Sequence, residues 1–330
     1  SKNELAEVMN VDKSKINDNK DLISIYVKHK PRLDFEPDTK HSYSNTNYSF
    51  LATIIENVSG TSFGDFLEKE IFKPLKMKHS FVYRKRYAPK KVKHYVQNYI
   101  YSDSLGRFVK PDILKKYRRV IYMDGIQGDG VISSTLGDLL KWDRALYTDK
   151  LVSHATINEI FTPAPLSNSA DFEYGYGWRI QDKSEFGKLA FHRGDWAGYS
   201  SYIERHIDND KTIIILTNNN KSVHPYGILQ RVLYNLPIAD KSMSKVEYLE
   251  QFVGNYEINP QAVFKIYLSN GQLIAQGPED DPLPIYPEAE NIFFFEKFRG
   301  VQLQFVKDEK DSVIKFIIKS GKGQTEVLKK

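Results

Sequence analysis

Apolar residues repeat at helical spacing in two neighbouring segments of the first hundred residues. The first segment ends at Ser59-Gly60, a pair typical of a helix stop, and the second starts at a capping box formed by Ser62 and Asp65. A third capped segment starts at Thr135 and is rich in leucine. These segments predict a helical lobe. The apolar members of the first two are Leu51, Ile54, Ile55 and Val58, followed by Phe63, Phe66, Leu67 and Ile71.

Residues 189–217 have the pattern of an antiparallel sheet. Tyr199 to Ile207 can pair with a run that starts at Leu189, and Thr212 to Thr217 is a β-branched apolar strand that follows a turn. The first strand carries His192 and Gly194 and ends in a Gly-rich turn. Glycine permits close backbone approach, and a free strand edge can offer N–H groups to an extended ligand. We therefore interpret this strand as one wall of an active site; the alternative is an edge strand with an incidental histidine.

The C-terminal part has a different texture, with short alternating strands separated by turns. Asn270-Gly271 between two such strands is a strong hairpin signal. The pattern predicts a separate all-β module, a small barrel or sandwich. We place a first domain at residues 1–238, a linker at 239–247 and a C-terminal β-barrel domain at 248–330.

Composition narrows the chemistry more than the choice of partner. The 330 residues are 41% hydrophobic and 27% charged, as in ordinary globular proteins, and the net charge of +5 indicates no particular partner. The absence of cysteine excludes disulfides, thiolate metal sites and cysteine nucleophiles. His41 and His79 lack metal-ligand spacing, so we expect no metal and no other cofactor. No apolar run is long enough to span a membrane.

Residues 73–119 are dense in lysine and arginine, with tyrosines between them. Basic residues interleaved with aromatic ones can bind nucleic acid. No nucleic-acid fold signature accompanies the charge, so we interpret the segment as a solvated loop and hairpin and predict no nucleic-acid partner.

The candidate catalytic groups are Tyr43, Asn45 and the His192 strand. Tyr43 and Asn45 precede the first predicted helix, which could place a phenol and an amide in one cleft. A phenol acts as a general base only if nearby cations lower its pKa. A strand bordered by glycine can give a backbone N–H to a developing oxyanion. These groups suit acyl transfer, which also needs a nucleophile.

Four motifs in the order found here resemble those of the serine β-lactamase-like, penicillin-binding hydrolases. The motifs are Tyr43-x-Asn45, the Gly-rich stretch 128–134, the stretch 174–178 (Tyr-Gly-Tyr-Gly-Trp) and His192-x-Gly194. The family includes class C β-lactamases, D-Ala-D-Ala carboxypeptidases and esterases, and the resemblance covers roughly residues 20–236. It implies an α+β fold, with an antiparallel sheet sandwiched by helices and a helical lobe. The C-terminal module is similar to the small β-barrel that follows this domain in some members.

The resemblance also implies a role for each matching residue. Tyr43 would be the phenol next to the base, and Asn45 would orient the catalytic lysine and the substrate amide. His192-Arg193-Gly194 would replace the family's Lys-Thr-Gly strand, and the N–H of Asp195 would be an oxyanion donor. Histidine in place of lysine is common among esterase-like and peptidase-like members, which argues against lactamase activity in particular.

One family motif has no counterpart where it is expected. The nucleophile of the family lies in a Ser-x-x-Lys helix well before Tyr-x-Asn, and the 42 residues before Tyr43 contain no such motif. A match at Ser242–Lys245 falls in the predicted linker, and we interpret it as chance. We therefore expect a hydrolase domain that is incomplete at its N-terminus and inactive alone. An exposed strand edge would then favour pairing between copies.

The predicted function is acyl-enzyme hydrolysis of amide or ester bonds. The resemblance implies D-amino-acid peptides of the cell wall, β-lactams or small esters as substrates. It also implies a periplasmic or extracellular location, with a cytoplasmic one left open. The alternative function is a non-catalytic binder or regulator that keeps the cleft and has lost the nucleophile.

Overall fold

The computed structural model describes residues 11–166, 173–220, 226–295, 301–320 and 323–330. The chain divides into two compact units, Ser1–Ser222 and Val223–Lys330. The first unit mixes helices with sheet, and the second contains a β-barrel, as the predicted fold class requires. The boundaries 238 and 247 stay a prediction. The segment predicted as a linker contains a 3₁₀ turn at Lys241–Ser244 and the start of a short helix at Val246–Leu249.

The helices of the first unit begin and end at the signals present in the sequence. Ser44 caps the helix that follows Tyr43, and Gly60 ends it in the left-handed region with φ +68°. Thr135 and Ser153 cap two later helices through their hydroxyl groups. The helices are α1 (Asn19–His29), α2 (Asn45–Ser59), α3 (Phe63–Leu67), α4 (Arg119–Tyr122), α5 (Leu136–Ala145) and α6 (His154–Ile160).

Of the apolar stripe that predicted α2, Ile55 packs against a buried apolar cluster, and the other three residues face away from the core. Leu51, Ile54 and Val58 are 51%, 55% and 84% exposed, whereas Ser49 and Ala52 are buried. The helix is therefore packed through small residues, which allow other segments to approach its backbone closely. The spacing predicted the helix correctly but did not predict which of its faces is buried.

Five antiparallel strands form the central sheet of the first unit, in the order β5-β6-β7-β8-β9. Ala190, Trp178 and Ile180 of this sheet pack against Leu146 and Phe161. The strands are β5 (Tyr174–Gly175), β6 (Trp178–Gln181), β7 (Leu189–Trp196), β8 (Tyr199–His206) and β9 (Lys211–Thr217). Two small sheets pair β1 (Phe81–Val82) with β4 (Ile132–Ser133) and β2 (Ile100–Ser102) with β3 (Arg107–Val109).

A buried ion pair fixes α5 to the central sheet. Arg205 of β8 donates from Nε to Oδ1 of Asp143 on α5 at 2.6 Å, and both side chains are almost completely buried. Thr212 of β9 donates to the other carboxylate oxygen at 2.9 Å. Removing one partner of such a pair would leave an uncompensated buried charge and would destabilise the contact between the helix and the sheet.

The second unit contains helix α7 (Tyr226–Leu233), helix α8 (Val246–Leu249) and a closed antiparallel barrel. The Asn270-Gly271 hairpin is confirmed, with both residues in the left-handed region. The alternating pattern points one side chain in two inward, and the inward set forms a continuous apolar core. The strands are β10 (Gly254–Asn259), β11 (Ala262–Ser269), β12 (Gln272–Gln276), β13 (Leu283–Ala289), β14 (Ile292–Phe295), β15 (Gln302–Lys307), β16 (Val313–Ser320) and β17 (Gly323–Lys329).

Candidate active site

A large cavity of about 1690 Å³ lies within the first unit. Tyr43, Asn45, His192, Gly194 and Asp195 all line it, although about 150 residues separate the first pair from the strand. The structure therefore brings every candidate site residue from the sequence to one cavity.

The start of α2 is held in place by a loop that approaches its backbone. Gly128 has φ +101°, and a Cβ there would lie 2.4 Å from the Tyr48 carbonyl oxygen and 2.6 Å from the Ala52 Cβ. Only glycine fits such a contact without displacing the helix. Asn19 reinforces it, because its amide donates to the carbonyl oxygens of Ser49 at 2.9 Å and Gln127 at 3.0 Å.

Aromatic rings surround His192. The ring of Tyr43 stacks on it at 6.0 Å between centroids, and the hydroxyl of Tyr174 lies 3.0 Å from Nε2. Tyr174 also hydrogen-bonds to Tyr48 and lies 5.4 Å, ring to ring, from His41. The orientation of the imidazole is thus fixed from two sides, by stacking and by a hydrogen bond.

The electrostatic surroundings of Tyr43 favour its protonated form. Burial raises the pKa of its phenol above the ordinary value, and Arg179 opposes the shift without reversing it. The same burial raises the pKa of Tyr174 and lowers that of His41. In this environment Tyr43 can donate a hydrogen bond at neutral pH. It would act as a base only next to a further cation.

Asp129 is an acidic group of the cavity that the sequence had not singled out. Its side chain is open to the cavity, but the surrounding protein removes much of its water, and this burial raises its pKa to about 6. Asp129 belongs to the Gly-rich stretch that α2 holds in place. The raised pKa would let this carboxyl group exchange a proton close to neutral pH.

The backbone of β7 is oriented by the turn that joins it to β8. Trp196 and Tyr199 close a two-residue turn of Ala197 and Gly198, whose φ angles are +29° and +98°. The closing pair of such a hairpin is hydrogen-bonded, and hydrogen-bonded pairs then alternate along the ladder. Counting back from Trp196, every second residue of β7 thus directs its backbone groups at β8.

The alternate residues of β7 direct their backbone N–H groups away from β8. Arg193 and Asp195 fall in this set, and β6 pairs with β7 only as far as Phe191, so among the described strands none covers these two N–H groups. A Cβ at Gly194 would lie 2.4 Å from Ser201 Oγ, so a larger residue there would require the Ser201 hydroxyl to rotate away. The geometry is compatible with an oxyanion donor at Asp195.

Sequence reasoning missed Tyr174, Arg179 and the lysines of the cavity. Tyr174 was visible as the first residue of the Tyr-Gly-Tyr-Gly-Trp motif. The lysines lie in the segment interpreted as a solvated loop; the β2–β3 hairpin is present, but Lys85, Lys90, Lys91 and Lys93 line the cavity. Arg179 had no signal, because its position depends on the pairing of β6.

Two Ser-x-x-Lys matches occur in the second unit, and neither resembles a catalytic pair. Ser242 donates to Asp240 at 2.5 Å in a 3₁₀ turn, and Lys245 is extended. In the second match, Ser312 precedes β16 and donates its backbone N–H to Asp308 at 2.9 Å, whereas Lys315 of β16 donates to Glu326 at 2.9 Å. The absence of the nucleophile pair stays a prediction.

The cavity itself contains serines, and none of them is bonded to a lysine within the described residues. They are Ser49, Ser133, Ser134, Ser200 and Ser201. Over the same ranges, no group of three or more histidine and acidic side chains is placed to hold a metal ion. No helix of the described part is long and apolar enough to cross a membrane.

The fold is that of the β-lactamase-like, penicillin-binding family. The family model described as Beta-lactamase matches residues 11–234, and the chain belongs to this family. Penicillin-binding protein 4* of Bacillus subtilis (strain 168) is 32% identical over 332 residues, covering 97% of this chain and 73% of that protein. A putative D-alanyl-D-alanine carboxypeptidase of Escherichia coli (strain K12) is 26% identical over 214 residues, covering 58% of this chain.

The chain thus spans less than half (48%) of the length of that carboxypeptidase. Among solved structures, the octameric penicillin-binding protein homologue from Pyrococcus abyssi superposes with a TM-score of 0.57 at 22% identity. That match covers 94% of this chain and 70% of the homologue, and it shows the fold alone.

Proposed function

We propose that this protein is an acyl-transferring serine hydrolase that acts on amide or ester bonds of D-amino acids. The observation that carries the proposal is the convergence of Tyr43, Asn45, His192 and Asp195 on one cavity from two distant segments. The relatives named as a penicillin-binding protein and a putative D-alanyl-D-alanine carboxypeptidase support this substrate class.

Each group has a role that its geometry permits. The N–H of Asp195 stabilises the oxyanion that forms when a nucleophile attacks the acyl carbon. His192, stacked on Tyr43 and 3.0 Å from the Tyr174 hydroxyl, is placed to pass a proton between nucleophile and leaving group. Tyr43 is protonated, so it serves as a hydrogen-bond donor and becomes a base only when a cation lies beside it. The nucleophile is not assigned to any described serine of the cavity.

To test the proposal, the full-length protein is incubated with a peptide that ends in D-Ala-D-Ala and, separately, with a D-alanine ester. The release of D-alanine is measured. We expect D-alanine release, with kcat lowered roughly 100-fold or more in His192→Ala and Tyr43→Phe. The matched control is Tyr176→Phe, because Tyr176 is an exposed tyrosine that bonds to Glu159 away from the cavity. Failure to hydrolyse either substrate, or unchanged kcat in both site variants, would reject the proposal.

A second candidate is a binder that lacks catalysis. It is favoured by the cavity serines, none of which bonds to a lysine within the described residues. A binder would retain D-Ala-D-Ala peptide in equilibrium dialysis, with affinity reduced in His192→Ala, and would release no D-alanine.

We extend the proposal to location and assembly. The D-alanyl-D-alanine substrate in the name of one relative suits a periplasmic or extracellular protein, which fractionation of the native organism would test. An exposed edge of the sheet would suit pairing between copies. Light scattering that finds a monomer at micromolar concentration would reject the pairing.

A further inference from the structure

The positive charge of this protein is concentrated in the cavity. Among the residues that the structure describes, the lining contains nine lysine and arginine side chains and three aspartates, a clear excess of positive charge. A cavity lined by one sign of charge raises the local concentration of ligands of the opposite sign.

Three of these cations form a group near one another in sequence, which we call the basic rim: Lys90, Lys91 and Lys93. All three are exposed, and within the described residues none forms an ion pair. Arg86, by contrast, is engaged by Asp112 at 2.5 Å and Asp124 at 3.3 Å. The charge of the basic rim is thus available to a ligand.

The basic rim is fastened to the same hairpin that carries the candidate oxyanion donor. Asn98 donates its amide to the Ala197 carbonyl oxygen at 2.7 Å, in the turn after β7. The Tyr199 hydroxyl donates to the Val96 carbonyl oxygen at 2.5 Å, and Tyr99 N–H donates to Asn218 at 2.8 Å. These bonds hold the segment that follows the basic rim beside the end of β7.

An aromatic wall accompanies the cations. Phe81, Tyr83, Tyr95 and Tyr199 line the cavity and meet edge to face in sequence, with ring centroids 5.0 to 6.3 Å apart. The Lys90 ammonium lies over Phe81, 4.8 Å from the ring centre. The anionic groups of a ligand can pair with the lysines while its uncharged parts pack against these rings.

We propose that the basic rim binds a polyanionic chain that has phosphate or carboxylate groups at successive positions. The bound chain holds its acyl group in the cavity beside His192. The acyl-transfer part rests on the proposed function, whereas the binding part does not. Exposed lysines on flexible stems accommodate variable charge spacing, so the rim selects for repeated negative charge rather than for one shape.

The experiment measures binding of fluorescent linear polyphosphate and of poly-glutamate to the full-length protein by anisotropy at several salt concentrations. The test variant replaces the rim by glutamine (Lys90→Gln, Lys91→Gln, Lys93→Gln). The matched control removes three exposed cations of the same segment that do not line the cavity (Lys110→Gln, Lys115→Gln, Lys116→Gln).

We expect the rim variant to bind about tenfold or more weakly at low salt, with a salt slope reduced by about two, and the control to stay close to wild type. Tighter binding of polyphosphate or of poly-glutamate identifies which anion the rim prefers. Equal weakening by both triple variants, or no binding by wild type, would overturn the inference. So would a single-stranded oligonucleotide of equal charge that binds tenfold more tightly than either probe, because it would indicate nucleic acid.

Turnover separates this inference from the proposed function. If wild type and the rim variant hydrolyse a neutral D-alanine ester at the same rate and wild type binds no polyanion, the inference is rejected and the proposed function stands. Polyanion binding that depends on the rim, without hydrolysis of any ester or peptide, would reject the proposed function alone.

Discussion

The barrel of the second unit and the cavity of the first unit are stabilised by different means. The barrel closes around an aromatic core whose members are at most 3% exposed: Phe252, Tyr256, Phe293, Phe305 and Phe316. The cavity is maintained by hydrogen bonds between segments far apart in the chain, such as Asn19 to Gln127 and Asn98 to Ala197. A core of this kind depends on apolar volume, whereas the cavity depends on a few polar atoms and on close glycine contacts such as that of Gly128.

The largest effect is expected in the barrel core. Phe305 meets the rings of Phe252, Tyr256, Phe293 and Phe316 at 4.7 to 5.8 Å between centroids. Phe305→Ala should cost about 3–5 kcal/mol of unfolding free energy, because it leaves a void among rings that cannot collapse. The loss of unfolding free energy is measured by denaturant titration, with near-ultraviolet circular dichroism as the signal.

The control for the barrel is Phe108→Ala, at an exposed position of the β2–β3 hairpin. It should change stability by less than about 1 kcal/mol. Equal losses at the two positions would mean that the aromatic core is not what stabilises the barrel.

The next effect is expected at the glycine contact of the cavity. Gly128→Ala would bring a Cβ within 2.4 Å of the Tyr48 carbonyl oxygen and force an unfavourable φ of +101°. We expect a loss of about 2 kcal/mol or more, with α2 displaced. Gly130→Ala is the matched control, because no atom lies within 4 Å of its Cβ position. The melting temperatures of the two variants are compared. Similar values would contradict the importance of the Gly128 contact.

A smaller effect is expected where the segment that follows the basic rim is hydrogen-bonded to the turn after β7. Asn98→Ala removes the 2.7 Å bond to the Ala197 carbonyl oxygen and should cost about 1 kcal/mol. Hydrogen exchange should speed up locally in residues 96–99 and 196–199. Exchange that speeds up across the whole unit instead would show that the bond serves global stability.

The smallest effect concerns Asp129 and depends on pH. Its pKa is raised to about 6, so the stability associated with this group is fully present below about pH 4 and is lost as pH rises through about 6. Asp129→Asn should therefore melt at the wild-type temperature near pH 4 and at a higher temperature at pH 8. Asp34→Asn, at an exposed position outside the cavity, is the matched control. A difference for Asp129→Asn that is constant with pH would contradict the raised pKa.

The two units also differ in how much of them could be predicted from sequence. In the barrel, inward and outward residues alternate along each strand, and Asn270-Gly271 marks a turn. These are local patterns, so the all-β class of this unit could be predicted from short stretches of sequence. The helix starts at Ser44 and Thr135 are local in the same sense. Local rules of this kind identify an element without identifying its partner.

The cavity could be predicted only in part. Tyr43, Asn45 and the His192 strand were found because their motifs occur in a familiar order. The buried face of α2 was not found, because the close approach of Gly128 to Ala52 depends on a contact across more than 70 residues. Lys90, Lys91 and Lys93 looked like a solvated charge run, because side chains that line a wide cavity have the same polarity as those on a surface.

The central claim is that the His192 strand and Tyr43 act together on an acyl group, and covalent trapping tests it most directly. The full-length protein is incubated with a fluorophosphonate and, separately, with a fluorescent penicillin, and its intact mass is followed over time. We predict a single adduct that forms at least tenfold more slowly in His192→Ala than in wild type or Tyr176→Phe. No adduct with either reagent, or equal rates in His192→Ala and wild type, would contradict the claim.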